Sequence, residues 1–141
     1  LMGKLARTAK DIPVILCHGK DADSTLIKTW TDLGAHLLPC RVVNNQLDTE
    51  DVLNQLGKHG LTRIFCEGGS ALAASLIRND LVDQLVGFTA GLVIGVEGLA
   101  GIGALGLDKL HMARRFTLGE TRQVGPDVMH VWTRASQMDA V

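Results

Sequence analysis

A chain of 141 residues is about the length of one domain and long enough to bury a hydrophobic core. Its formal net charge is −1, with acids and bases interspersed, so no polyanion is implied as partner and no basic stripe points to nucleic acid. The three cysteines, Cys17, Cys40 and Cys66, are odd in number and form no C-x-x-C, which argues against a disulfide framework and for a reducing, cytoplasmic setting. Residues 1–10 carry Lys4, Arg7 and Lys10 but neither the apolar stretch of a signal peptide nor an evident first structural element, so the chain reads as a fragment. With three Phe, two Trp and no Tyr, its core is expected to be aliphatic.

The run Pro13–Cys17, PVILC, is apolar throughout, as in a strand covered on both faces. From Ser24, the positions Leu26, Ile27, Trp30 and Leu33 repeat at helical spacing, with Asp23 as N-cap and Gly34 as terminator. A second strand is expected at His36–Cys40, where Pro39 marks a strand end or a sheet edge. A second helix follows, capped by Thr49, with Glu50 and Asp51 in its first turn and Val52, Leu53 and Leu56 as its buried stripe. Lys58 and His59 suit its negative C-terminal end, and Gly60 closes it. Arg63–Cys66 reads as a third strand. Ser70–Asn79 reads as a third helix, with Leu72, Ala73, Leu76 and Ile77 on one face. Three strand–helix units in succession imply a parallel sheet flanked by helices.

The pattern changes after Val82. The uncharged stretch Gln84–Ile94 reads as one long buried strand, followed by a glycine-rich loop to Leu107. Phe116–Val124 alternates and Val128–Arg134 resumes, with the turn signal Gly125-Pro126-Asp127 between them, so an antiparallel hairpin closes the domain. The tail 135–141 is expected to be loose. The fold class is therefore α/β, with parallel βα units followed by a C-terminal antiparallel hairpin in a mixed sheet. A rival reading takes Leu85–Leu107 as a membrane helix, its Gly87, Gly91 and Gly95 spaced for close packing. Against it stand Glu97, seven glycines in the segment and no basic flank.

Chemistry concentrates at Cys66-Glu67-Gly68-Gly69-Ser70. A strand running through glycine into a helix leaves backbone N–H groups free at a positive helix end, which suits a phosphate. Ser70 adds a hydroxyl. Glu67 is ill-placed for an anion and is expected to face a ligand with hydroxyls or amines to donate. Other constellations are weaker. Cys17, Cys40 and Cys66 each close an expected strand, and with His18 they suggest a metal site, but their spacing matches no zinc pattern. Asp80 and Asp83 read as capping and turn residues.

The phrase EGGSALAASLIRNDLVDQLVGFTAGLVIG, from Glu67 to Gly95, resembles the reductase domain of the bifunctional riboflavin-biosynthesis deaminase/reductase family. KLARTAKDIPVIL and the closing stretch LDKLHMARRFTLGETRQVGPDVMHVW extend the likeness over Lys4 to Thr133. The resemblance implies a dihydrofolate-reductase-like fold. It implies NADPH-dependent reduction of the ribosyl group of 5-amino-6-(5-phosphoribosylamino)uracil. It assigns Glu67 to the substrate, and Gly69, Ser70, Ala71, Leu72, Ala73, Ala74 and Ser75 to NADPH. It further implies a homodimer built on the strand at Gln84–Ile94 and the closing hairpin. Gln84 stands where the family commonly has an acid, and Ala90-Gly91 where it often has Ala-Pro. The family's preceding strands, with the presumed catalytic acid, have no counterpart, so this chain is expected to hold one wall of an active site and to be inactive by itself. The alternatives are another NADPH reductase of the same superfamily and a non-catalytic homodimerisation module.

Overall fold

The computed structural model describes residues 3–135. Beyond Ala135, the tail expected to be loose lies outside the described residues. The internal packing forms two compact units, one ending at Phe65 and the other beginning at Cys66.

The first unit opens with a short helix, α1 (Lys4–Thr8), which buries Ala6. No first element was legible there, because five residues are too few to show a helical period. Strand β1 (Ile15–His18) pairs in parallel with β2 (His36–Pro39), in the register Ile15 to His36 through His18 to Pro39. Pro39 ends its strand, as its missing N–H requires. Helix α2 (Ser24–Asp32) connects the two strands. The Asp23 carboxylate accepts the Thr25 N–H at 2.7 Å, and Gly34, at φ +95°, closes the helix. There the Ala35 N–H reaches the Trp30 carbonyl at 3.0 Å and the Gly34 N–H reaches Thr31 at 2.9 Å, a Schellman ending. Ala9, Val14 and Ala35 are buried at the centre of this unit, with Leu16, Trp30 and Leu37 packed on them.

A small hairpin that the sequence reading did not anticipate follows. Strands β3 (Val42–Val43) and β4 (Gln46–Leu47) are joined by Asn44 and Asn45, at φ 49° and 61°. Two left-handed residues between antiparallel strands make a type I′ turn, and asparagine tolerates that conformation better than most residues. Helix α3 (Thr49–Lys58) is capped by Asp48 rather than the expected Thr49. The Asp48 N–H is bonded to the Arg41 carbonyl at 2.9 Å, which holds Asp48 extended. Its carboxylate then accepts the Asp51 N–H at 3.1 Å, and Thr49 is drawn into the first turn and buried.

The Asp51 carboxylate accepts the Arg41 N–H at 2.6 Å, and this bond chiefly holds its pKa below the ordinary 3.8. Asp23 is lowered too, mainly by the Thr25 N–H. A folded pKa below the unfolded one means that the unfolded chain binds more protons as the solution is acidified. The stabilisation is therefore complete above 3.8 and is lost as pH falls through the lower folded values. The urea midpoint of this unit is expected to fall on acidification through that window. The fall should be shallower in Asp51→Asn, and an identical acid dependence in that variant would refute this assignment.

The expected strand at Arg63–Cys66, where the first unit gives way to the second, is absent: residues 61–69 take no regular structure, and Ile64 and Phe65 are exposed. A strand apolar on both faces exists only with pairing and cover on both sides, and no described strand pairs with this run. Helix α4 (Ser70–Arg78) forms as expected, burying Ala74 and Ile77. It ends at Asp80, at φ 58°, with the Leu81 N–H on the Leu76 carbonyl at 3.0 Å and the Asp80 N–H on Ile77 at 3.1 Å. An aspartate thus fills the left-handed position that glycine holds after α2 and α3.

Strands β5 (Gln84–Thr89), β6 (Phe116–Val124) and β7 (Asp127–Arg134) form an antiparallel sheet in the order β5-β7-β6. Strand β5 is shorter than the expected Gln84–Ile94, ending at Thr89, and the run is not buried: Phe88 in the strand is 61% exposed and Val93 beyond it 96%. In the β6–β7 turn, Gly125 has φ +60° and Pro126 follows with its fixed negative φ, the residue order of a type II′ turn. Gly119 occupies a bulge between Leu118 and Glu120. Arg134, at the end of β7, donates to the Asp83 carboxylate at 2.6 Å and to the Asp80 carbonyl at 2.7 Å, so both aspartates fasten the α4–β5 connection to the sheet. The membrane reading fails. Gly87 lies in β5, Gly91 in a bend and Gly95 in a 3₁₀ turn, and no described helix is long and apolar enough to cross a membrane.

Candidate functional site

The start of α4 is open. Gly69 takes the N-cap position at φ −68°, ψ 172°, and no side chain caps the helix. The first intrahelical bond runs from the Ala73 N–H to the Gly69 carbonyl at 3.1 Å, so the N–H groups of Ser70, Ala71 and Leu72 precede it. A Cβ on Gly69 would meet nothing within 4 Å, so there is free space directly before those donors. Uncapped donors, a positive helix end and empty space are what an anionic oxygen needs. Gly68 differs: a Cβ there would lie 2.5 Å from the Leu72 side chain, so this glycine lets the chain pass close to its own helix.

The remaining residues assigned to this place divide by orientation. Ala74 is buried, and Ser70, Ala73 and Ser75 are half-buried; only Ala71 and Leu72 of the helical set are exposed. A ligand at the helix start would thus meet Gly69, Ser70, Ala71 and Leu72, while Ala74 packs inward. Glu67 is exposed and, among the described residues, makes no hydrogen bond or ion pair, so its carboxylate is free to accept from a hydroxyl or amine.

One feature of this place was not legible in the sequence. The Gly103 N–H donates to the Ser70 carbonyl at 2.9 Å, and a Cβ on Gly103 would lie 3.1 Å from that oxygen. The glycine-rich segment therefore folds onto the first turn of α4, and a side chain at Gly103 would crowd the Ser70 carbonyl. Sixteen glycines in the chain hid the one that matters here.

The cysteines do not gather into the imagined metal site. Cys17 is half-buried on β1, Cys40 is buried just beyond β2, and Cys66 is exposed in an irregular segment. No described group of three or more His, Cys, Asp or Glu side chains is placed to hold a metal ion. Burial, and next the neighbouring Cys17 thiol, push Cys40 up to about 11. Since the thiolate is the nucleophile, iodoacetamide is expected to label Cys66 first and Cys40 only on unfolding. Peptide mass spectrometry with and without denaturant checks this order, and early labelling of Cys40 in the folded protein would count against it.

A histidine contact on the three-stranded sheet resembles a catalytic dyad but is not one. His130 Nε2 lies 3.1 Å from Thr89 Oγ1, and the Trp132 indole N–H donates to His130 Nδ1 at 2.8 Å. Indole only donates, so Nδ1 carries the lone pair and Nε2 carries the proton. The imidazole therefore donates to Thr89 and cannot take its proton.

In the first unit, a cavity of about 250 Å³ lies between α2 and the β1–β2 pair, lined by His18, Asp23, Leu26, Trp30 and Leu37 among others.

The fold is α/β, and the uncapped start of α4 is the most open set of backbone donors described above. The chain belongs to the RibD C-terminal domain family, whose model matches residues 4–130. It is 28% identical over 127 residues to the riboflavin biosynthesis protein RibD of Actinobacillus pleuropneumoniae, covering 89% of this chain and 34% of that protein. It is 38% identical over 82 residues to the RibD of Escherichia coli K12, covering 58% of this chain and 22% of that protein. The chain thus spans about a third or less of these relatives. Among solved structures, Acinetobacter baumannii RibD matches with a TM-score of 0.64 at 18% identity, over 77% of this chain and 29% of that one. A pyrimidine reductase-like protein from Corynebacterium diphtheriae matches with a TM-score of 0.66 at 14% identity, over 87% and 50%. At these identities the structural likeness speaks for the fold.

Proposed function

We propose that this chain is part of an NADPH-dependent reductase of riboflavin biosynthesis, of dihydrofolate-reductase-like fold. Its reaction is the reduction of 5-amino-6-(5-phosphoribosylamino)uracil to the ribitylamino product. The observation that carries this reading is the uncapped start of α4 beside a free Glu67, in a chain of the RibD C-terminal domain family. NADPH, when bound, supplies the hydride. The chain's part is to hold the ligands: the Ser70, Ala71 and Leu72 N–H groups receive a cofactor phosphate, and Glu67 accepts hydrogen bonds from the sugar of the substrate. Such positioning lowers the barrier by fixing the reacting centres against each other.

By this reading the chain supplies ligand-binding groups and is inactive by itself. Cytoplasmic residence accords with three free cysteines. The exposed apolar face of β5, with Val86 and Phe88, supports a homodimer through this strand and the closing hairpin. Calorimetric titration with NADPH and NADH tests the reading. Saturable binding that prefers NADPH supports it, and no binding of either by the folded chain overturns the cofactor site.

A further inference from the structure

The opposite end of α4 meets a second groove, formed by its last turn and the segment 105–114. The groove has a volume of about 340 Å³, within the roughly 300–1,000 Å³ typical of small-ligand sites. Ile77, Leu105, Leu107 and Met112 make an apolar floor, and Arg78 and Arg114 stand at its wall. Ile77 is buried, whereas Met112 is 53% exposed, so the floor is open to a ligand on one side. The charges are poorly matched from within. Arg78 makes no ion pair among the described residues. The Arg114 Nε approaches a carboxylate only at Asp80, 3.9 Å away, and that aspartate is shared with Arg134 at 3.8 Å.

Arg78 in a last helical turn has an ordinary role, complementing the negative end of the helix. That role does not account for a second guanidinium from a distant segment on the same groove, nor for the apolar floor between them. A guanidinium fork suits carboxylate or phosphate oxygens, and an apolar floor suits a hydrocarbon or aromatic body. We propose that this groove binds an amphipathic anion, a phosphate monoester with an apolar body, at a site separate from the start of α4. The two places lie at opposite ends of α4, which is nine residues or about 13 Å long. The inference stands on the groove alone and holds whether or not the helix start takes a dinucleotide.

The test is a calorimetric titration of the chain with phenyl phosphate, inorganic phosphate and phenol in parallel. Phenyl phosphate is expected to bind roughly tenfold more tightly than either fragment, because it engages both the guanidinium groups and the floor. Arg78→Ala and Arg114→Ala should each weaken it by about tenfold, whereas Gly69→Asp should leave it unchanged. Amide chemical-shift changes in the unmodified chain, expected at Leu105, Leu107 and Met112, locate the ligand without any variant. Equal affinity for inorganic phosphate overturns the proposal, as does unaltered binding in both arginine variants. Shift changes confined to the start of α4, or loss of binding in Gly69→Asp, would also overturn it and assign the anion to the helix start instead.

Discussion

Gly69→Asp is expected to weaken NADPH binding by roughly a hundredfold while leaving the fold at least as stable. The side chain has room, since nothing lies within 4 Å of the added Cβ, and the backbone is already in the extended region an N-cap residue requires. Aspartate is a strong N-cap, so its carboxylate is expected to accept an N–H of the first turn and stabilise α4 by a few tenths of a kcal/mol over glycine. The same carboxylate occupies the donors a phosphate would use and repels it. Losing two charge-assisted hydrogen bonds, each at the low end of about 1.5–3 kcal/mol, accounts for the hundredfold. Calorimetry beside thermal melting separates the two effects. Unaltered affinity in a variant of raised or equal Tm would move the cofactor away from α4. Reduced affinity in a variant of lowered Tm would mean that the backbone had shifted and that the N-cap account is wrong.

Gly87→Ala is expected to destabilise the second unit by about 1–3 kcal/mol, the usual range for overpacking. A Cβ on Gly87 would lie 2.3 Å from His130 Cε1 on the paired strand. A free side chain would swing away at little cost, but this imidazole is held from both ends, by the Trp132 indole and the Thr89 hydroxyl. Moving it breaks at least one of those bonds. His130→Ala removes the obstacle, so the double variant Gly87→Ala/His130→Ala should be less destabilised than the two single effects added together. Denaturant melts of the four proteins measure the coupling. Strict additivity would show that Gly87 matters for some reason other than this ring.

The sequence by itself determined the local elements. Helices α2, α3 and α4 were legible within a residue or two, because each carries a 3.6-residue apolar period, and Asp23, Gly34 and Gly60 punctuate the first two. The β6–β7 hairpin was legible because Gly125 and Pro126 admit few backbone conformations. The open start of α4 was legible too, since a glycine before Ser70 leaves the first turn uncapped whatever surrounds it.

Tertiary structure alone decided the rest. Arg63–Cys66 has the composition of a buried strand, yet strands exist by pairing, and no local signal states whether a partner is present. Asp48 displaced Thr49 as cap because a bond from its N–H to Arg41, seven residues earlier, set its backbone. Gly103 approaches Ser70 and Arg114 approaches Asp80 across more than thirty residues, distances over which a one-dimensional pattern carries no information. Periodicity, capping and turn chemistry act between neighbours in the chain and can be read along it. Strand pairing, close backbone approach and convergence of charge act between neighbours in space, and the fold alone brings those together.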